Sequence, residues 1–86
     1  MPTLKEVKGL EKDLKKAGLW DAYKDARTKF IRNPNLKSLD FCIWDRINRT
    51  WSIKITVKIR IIMAKRPNNQ YEAFIFGDFH RKQAKK

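Results

Sequence analysis

The sequence predicts an α+β fold in which an N-terminal helical hairpin packs on a small twisted antiparallel sheet. Apolar residues recur at helical spacing over residues 3–32. From Leu39 to Met63 the spacing changes to strict alternation. Gly18 and the Asn33-Pro34-Asn35 stretch punctuate the helical part where two short helices would end.

Taken in order, Thr3 and Glu6 have the spacing of a capping box, and Leu4, Val7, Leu10 and Leu14 follow as one stripe. A first helix is therefore expected to begin at Thr3 and to end at Gly18, with Gly9 as an interior cost of up to ~1 kcal/mol relative to Ala. A second helix runs from about Trp20 to Ile31 on Trp20, Tyr23, Ala26 or Arg27, and Phe30. The residue before Pro34 is pushed out of the α region and closes it. Leu39, Phe41 and Ile43 alternate with Ser38, Asp40 and Cys42 as a first strand, and 45–49 forms a turn. From Trp51 the odd positions are apolar through Met63, while Ser52, Lys54, Thr56, Lys58 and Arg60 are polar. That run exceeds the usual strand length of ~3–10 residues, so a hairpin is expected near Thr56-Val57-Lys58, with Ile55 facing Ile59 and Lys54 facing Arg60. On this parity Lys54 and Arg60 share the side away from the core. Residues 65–70 read as a loop, and Tyr71 to Phe79 as an interior strand, since Ala73-Phe74-Ile75-Phe76 is apolar on both faces. One domain, 1–86, accounts for the chain: hairpin 3–32, sheet 36–80 and a basic tail 81–86.

Eighty-six residues carry 21 Lys plus Arg against nine Asp plus Glu, a net charge of +12. Residues 1–43 hold ten basic and six acidic side chains, and residues 44–86 hold eleven and three, so the sheet half is the polyanion-facing half. Such a field attracts phosphate backbones or acidic partners without specifying sequence. Cys42 is the only cysteine and His80 the only histidine, which leaves no disulfide and no zinc site to assemble; no metal and no cofactor are expected. Cys42 sits in the apolar Phe41-Cys42-Ile43-Trp44 stretch and is read as packing. No apolar run approaches the ~20 residues that span a bilayer, and a cytoplasmic protein without a membrane role is expected.

Trp51-Ser52-Ile53-Lys54-Ile55, three loop residues and Ile59-Arg60-Ile61 are similar to the W-S-I-R-I-N-D-Q-W-R-I stretch of toxins in the RelE/ParE superfamily. The closest branch is the one that inhibits host growth, whose last strand closes on Asp-Tyr-His. Here the strand closes on Asp78-Phe79-His80. Members usually carry an N-terminal strand before the helices, whereas this chain is read as starting directly in a helix. The resemblance implies the toxin of a toxin–antitoxin pair, a metal-independent endoribonuclease that cuts mRNA on the ribosome. It further implies an acidic antitoxin as partner, with mRNA and rRNA as the other contacts. Carried over by position, His80 matches the catalytic histidine and Asp78 the acidic residue before it. Lys54 and Arg60 match basic positions that handle the scissile phosphate.

Metal-free RNA cleavage needs a proton acceptor and donor near neutral pH, and fixed positive charge for the phosphorane. Imidazole supplies the first, Arg and Lys the second. Arg46 and Arg49 flank the turn before Trp51 and are expected at the same rim as RNA contacts, together with Lys58 and Arg81. Phe79 is the candidate for base stacking, while Trp44, Trp51, Trp20 and Tyr23 are expected to be core. Two other readings remain open on these residues: a ParE-type inhibitor of DNA gyrase acting by protein contact, and an inactive basic RNA-binding module. Lys54 and Arg60 would also suit the solvated side of an amphipathic hairpin.

Overall fold

The stretch that carries the capping-box spacing is a strand. In the computed structural model, which describes residues 1–78, the order is β1 (Thr3–Glu6), α1 (Leu10–Lys16), α2 (Trp20–Arg32), a 3-10 turn (Lys37–Leu39), β2 (Cys42–Asp45), β3 (Thr50–Lys54), β4 (Arg60–Arg66) and β5 (Gln70–Gly77). The protein is α+β, with one five-stranded sheet in the order β1-β5-β4-β3-β2. Three neighbouring pairs are antiparallel and β1 runs parallel to β5, so the sheet is mixed rather than wholly antiparallel.

The N-terminal correction has a local cause. Gly9 takes φ +93°, a left-handed conformation that glycine adopts without a Cβ penalty, and it separates β1 from α1. The helical hairpin therefore covers 10–32, not 3–32. Glu6 does not reach back to Thr3. Its carboxylate accepts hydrogen bonds from Tyr23 Oη at 2.7 Å and from Arg27 Nη1 at 2.9 and 3.0 Å, tying β1 to α2. Burial, reinforced by the Glu6 hydrogen bond, pushes the Tyr23 phenol far above its ordinary value. Burial is the largest single influence on Arg27 and works against its charge, yet the hydrogen bond and charge of Glu6, together with Tyr23, outweigh it and the guanidinium pKa rises.

Gly18 behaves as its position predicts. Its N–H donates to Lys15 O and the next N–H, from Leu19, donates to Leu14 O, the paired bonds of a Schellman cap. Tyr23, Ala26 and Phe30 form the buried stripe of α2, at spacings of three and four. They meet Leu4, Leu10, Leu14, Ile53, Ile61, Met63, Tyr71 and Ala73 in one core. Phe30 contacts the rings of Phe41 and Tyr71 edge-on at 5.0 and 5.2 Å. Trp20 lies at the rim of this core, half-buried among the cations of Lys15, Lys24 and Arg27.

The first expected strand is shorter than its alternation. Asp40 adopts a left-handed conformation (φ 46°, ψ 49°) after the 3-10 turn, so pairing starts only at Cys42. Leu39 and Phe41 still face the core, because inward packing does not require a strand there. The hairpin agrees with its expected register: Ile55 N–H donates to Ile59 O at 3.0 Å, and Lys54 pairs with Arg60. Lys65 and Arg66, expected in a loop, extend β4. β5 is interior, and a register shift opposite Ile62/Met63 leaves Phe74 as an extra residue. This bulge reverses the parity of β5, so that Tyr71 and Ala73 face the core before it and Phe76 after it. Phe79, His80, Arg81 and the remainder of the basic tail lie outside the described residues.

Tyr23→Phe should lower unfolding stability by about 1–2 kcal/mol through loss of a hydrogen bond to a charged acceptor. Phe30→Ala should cost about 3–5 kcal/mol because it empties the centre of the aromatic cluster. Urea unfolding followed by circular dichroism reads both, with an unchanged m-value expected for the first.

Candidate functional site

Antiparallel pairing separates the cations of the sheet into two ends. Lys54 is the last residue of β3, Arg60 the first of β4, and Gly77, the last of β5, pairs with Arg60. Lys54, Arg60 and the Gly77-Asp78 segment thus share one end of the sheet. Arg46 and Arg49 stand at the other, in the 46–49 turn that precedes Thr50. Four strand steps of ~3.3 Å separate Thr50 from Lys54, roughly 13 Å. The expectation that Arg46 and Arg49 share the rim of Lys54 and Arg60 is therefore corrected: an antiparallel hairpin sends the turn before β3 and the loop after it in opposite directions.

At the first end Arg60 is an internal strut. Although its alternation marks it as outward-facing, it is only 5% exposed. Its guanidinium crosses the outer face of β3: Nη1 donates to Ser52 Oγ at 3.0 Å and to Asp40 O at 3.3 Å, and Nη2 donates to Asp40 Oδ2 in an ion pair. The left-handed backbone at Asp40 orients both its carbonyl and its carboxylate toward the same guanidinium. Trp44 lies over Arg60, with the ring centroid 5.9 Å from Cζ, and Cys42 Sγ is 3.4 Å from Ser52 Oγ. Lys54 is half-buried and lines a cavity of about 170 Å³ with Asp25 and Lys29 of α2, Ser38 and Thr56. Lys58 is exposed in the β3–β4 loop, and Asp78 is exposed after β5. His80, Phe79 and Arg81 fall outside the described residues.

The second end holds a larger cleft, of about 490 Å³, lined by Arg46, Arg49, Lys65 and Arg66 together with Trp51 and Pro67. It draws on the β2–β3 turn, the start of β3, the end of β4 with Pro67 just beyond it, and Ile43 of β2. Asp45 builds the first of these, its Oδ1 accepting from the Ile47 N–H at 2.9 Å and its Oδ2 from Asn48 Nδ2 at 2.7 Å. The Asn48 side-chain bond holds the Asp45 carboxyl below its ordinary value. Arg49 follows in a left-handed conformation (φ 53°), and its carbonyl accepts from the Lys65 N–H at 3.4 Å, binding the turn to β4. Trp51 stacks on Phe41 with ring centroids 4.8 Å apart, so its ring is held rigidly at the edge of the core. The residue classes in this cleft were visible in the sequence. What alternation could not show is that Lys65 and Arg66, at the far end of a seven-residue strand, return beside the turn that carries Arg46 and Arg49.

Among the described residues, no group of three or more His, Cys, Asp or Glu side chains is placed to hold a metal ion. Among those residues, too, no helix is long and apolar enough to cross a membrane.

The Arg60 strut makes a direct stability prediction. Asp40→Ala leaves a nearly fully buried guanidinium without its counter-charge and should cost about 2–4 kcal/mol, toward the lower side because Asp40 keeps 29% side-chain exposure. Arg60→Met should cost less than Asp40→Ala, and the double variant less than the two losses combined, in urea melts of the four proteins. No protein-family model matches the chain, and no curated protein matches it.

Proposed function

We propose that the protein is a toxin of RelE/ParE type that acts on RNA, cleaving ribosome-bound mRNA without a metal ion and restrained in the cell by an acidic antitoxin. The observation that carries this reading is the strand order. Of the three segments behind the resemblance, Trp51–Ile55 and Ile59–Ile61 lie on or at the ends of adjacent β3 and β4, and Asp78, the described residue of Asp78-Phe79-His80, follows β5, with Lys54, Arg60 and Gly77 in register. An N-terminal strand before the helices, usual in those toxins, is also present as β1.

In the proposed reaction a base removes the proton from a ribose 2′-OH, and the 2′-oxygen bonds to the adjacent phosphorus. The bond from phosphorus to the 5′-oxygen then breaks as an acid protonates the leaving group. The products are a 2′,3′-cyclic phosphate and a free 5′-OH, with no redox change. His80, three residues beyond Gly77, is assigned to acid or base work, with Asp78 orienting it. Lys54 supplies positive charge, and Arg60 either joins it by exchanging Asp40 for phosphate or holds the strand ends in place. With net charge +12, the surface favours an acidic antitoxin segment.

One observation favours a second reading, binding without cleavage. Arg60 is already held by Asp40 and Ser52, and a guanidinium committed to a buried pair is a poor phosphate clamp. Induction of wild type and His80→Ala in bacterial cells, with mapping of transcript 5′ ends, separates the readings. Translation-dependent cuts within reading frames are expected, reduced about 10²–10⁴-fold in the variant, the range of a lost general acid or base. Growth arrest without cuts would move the target to a protein such as DNA gyrase, and no arrest would leave a binding module.

A further inference from the structure

We infer that the cleft between the β2–β3 turn and the end of β4 is a docking site for a single-stranded RNA backbone, separate from the Lys54/Arg60 end. The choice of RNA rests on the proposed function; the site itself rests on its own geometry.

Four cations converge there from segments that the sequence separates by as many as twenty positions, Arg46 to Arg66. All four are exposed. Arg66 pairs with Glu72 at 2.8 Å, while Arg46, Arg49 and Lys65 form no ion pair among the described residues. Asp45, the acidic residue closest in sequence, spends its oxygens on its own turn. Surplus like charge gathered in one cleft is mildly repulsive, and a bound polyanion relieves it.

The composition of the cleft selects a nucleic acid over an acidic protein. Three of the four cations are arginines, whose planar forks fit phosphate oxygens in pairs. The apolar part of the lining is Trp51, Pro67 and Ile43, with Ile43 41% exposed. A rigid indole beside phosphate-binding guanidiniums is the arrangement on which an unstacked base rests, worth ~1–3 kcal/mol per base and tolerant of sequence. The volume lies within the ~300–1,000 Å³ usual for ligand clefts. The backbone is also prepared: the Asp45 turn and the bond from Lys65 N–H to Arg49 O fix both walls before any ligand arrives. RNA bound here would lie roughly 13 Å or more along the sheet from the Lys54 end. The cleft therefore acts on affinity and on the path of the strand, not on the reacting phosphate.

Fluorescence anisotropy with a labelled 2′-O-methyl oligouridylate tests this. The probe lacks the 2′-OH nucleophile, so binding is read whether or not the protein cleaves. The wild type is compared with Arg46→Glu/Arg49→Glu and with Lys12→Glu/Lys16→Glu, which makes the same charge change on exposed α1 positions. Circular dichroism melts confirm that both variants fold. The cleft variant is expected to bind at least tenfold more weakly than the α1 variant. Its plot of log affinity against log salt should be shallower than that of wild type by about 1.4, the loss of two single-strand phosphate contacts. Equal losses in the two variants would overturn the site and leave only a diffuse basic surface. Tighter binding of polyglutamate or of the matching DNA oligomer than of the RNA analogue, lost in the cleft variant, would overturn the RNA assignment in favour of that ligand.

Discussion

The Arg60–Asp40 pair holds the open face of this sheet together. Among the described residues, helices cover only one face, yet Ser52, Arg60 and Ile62 on the other are as buried as the core. Arg60 lies across β3 beside Ser52 and ends on the backbone and carboxylate of a residue that precedes β2. One long side chain thereby links β4, β3 and the edge of the sheet, and Trp44 lies over it. Under the proposed function, a phosphate that recruits Arg60 would have to compete with Asp40 and Ser52. A buried ion pair gives little net stability compared with an apolar replacement.

Much of the architecture was legible from residue patterns. The α2 stripe, the Gly18 cap, the β3–β4 register and the interior place of β5 follow from period, glycine geometry and turn length, which act locally. The failures came where a short signal fits two periods. Over four residues, Thr3 to Glu6, one inward Leu cannot tell a strand from a helical turn. The deciding interaction is with Tyr23 and Arg27, seventeen and twenty-one positions away. Asp40 broke the alternation by its left-handed backbone, and the bulge at Phe74 reversed the parity of β5. Neither follows from hydropathy.

The site was legible in residue type and only partly in place. Alternation marked Arg60 as polar and outward, which is true of its Cβ direction but not of a side chain long enough to fold back over a neighbouring strand. Arg46 and Arg49 were identifiable as exposed cations. Their partners across the cleft, Lys65 and Arg66, became neighbours through the antiparallel return of β4.

The parallel β1–β5 pair joins the two described strands that lie farthest apart in sequence. Thr3 meets Gln70, a pairing across 67 positions of sequence. Closing so long a loop is entropically costly, and non-local pairings of this kind slow folding. The helices and the β3–β4 hairpin rely on contacts close in sequence, whereas the outer edge of β5 is covered only through β1, which Glu6 ties to Tyr23 and Arg27. Without β1, that edge would be open to any other strand nearby, including one from a second copy. Residues 3–6 thus act as an intramolecular shield for the edge of β5.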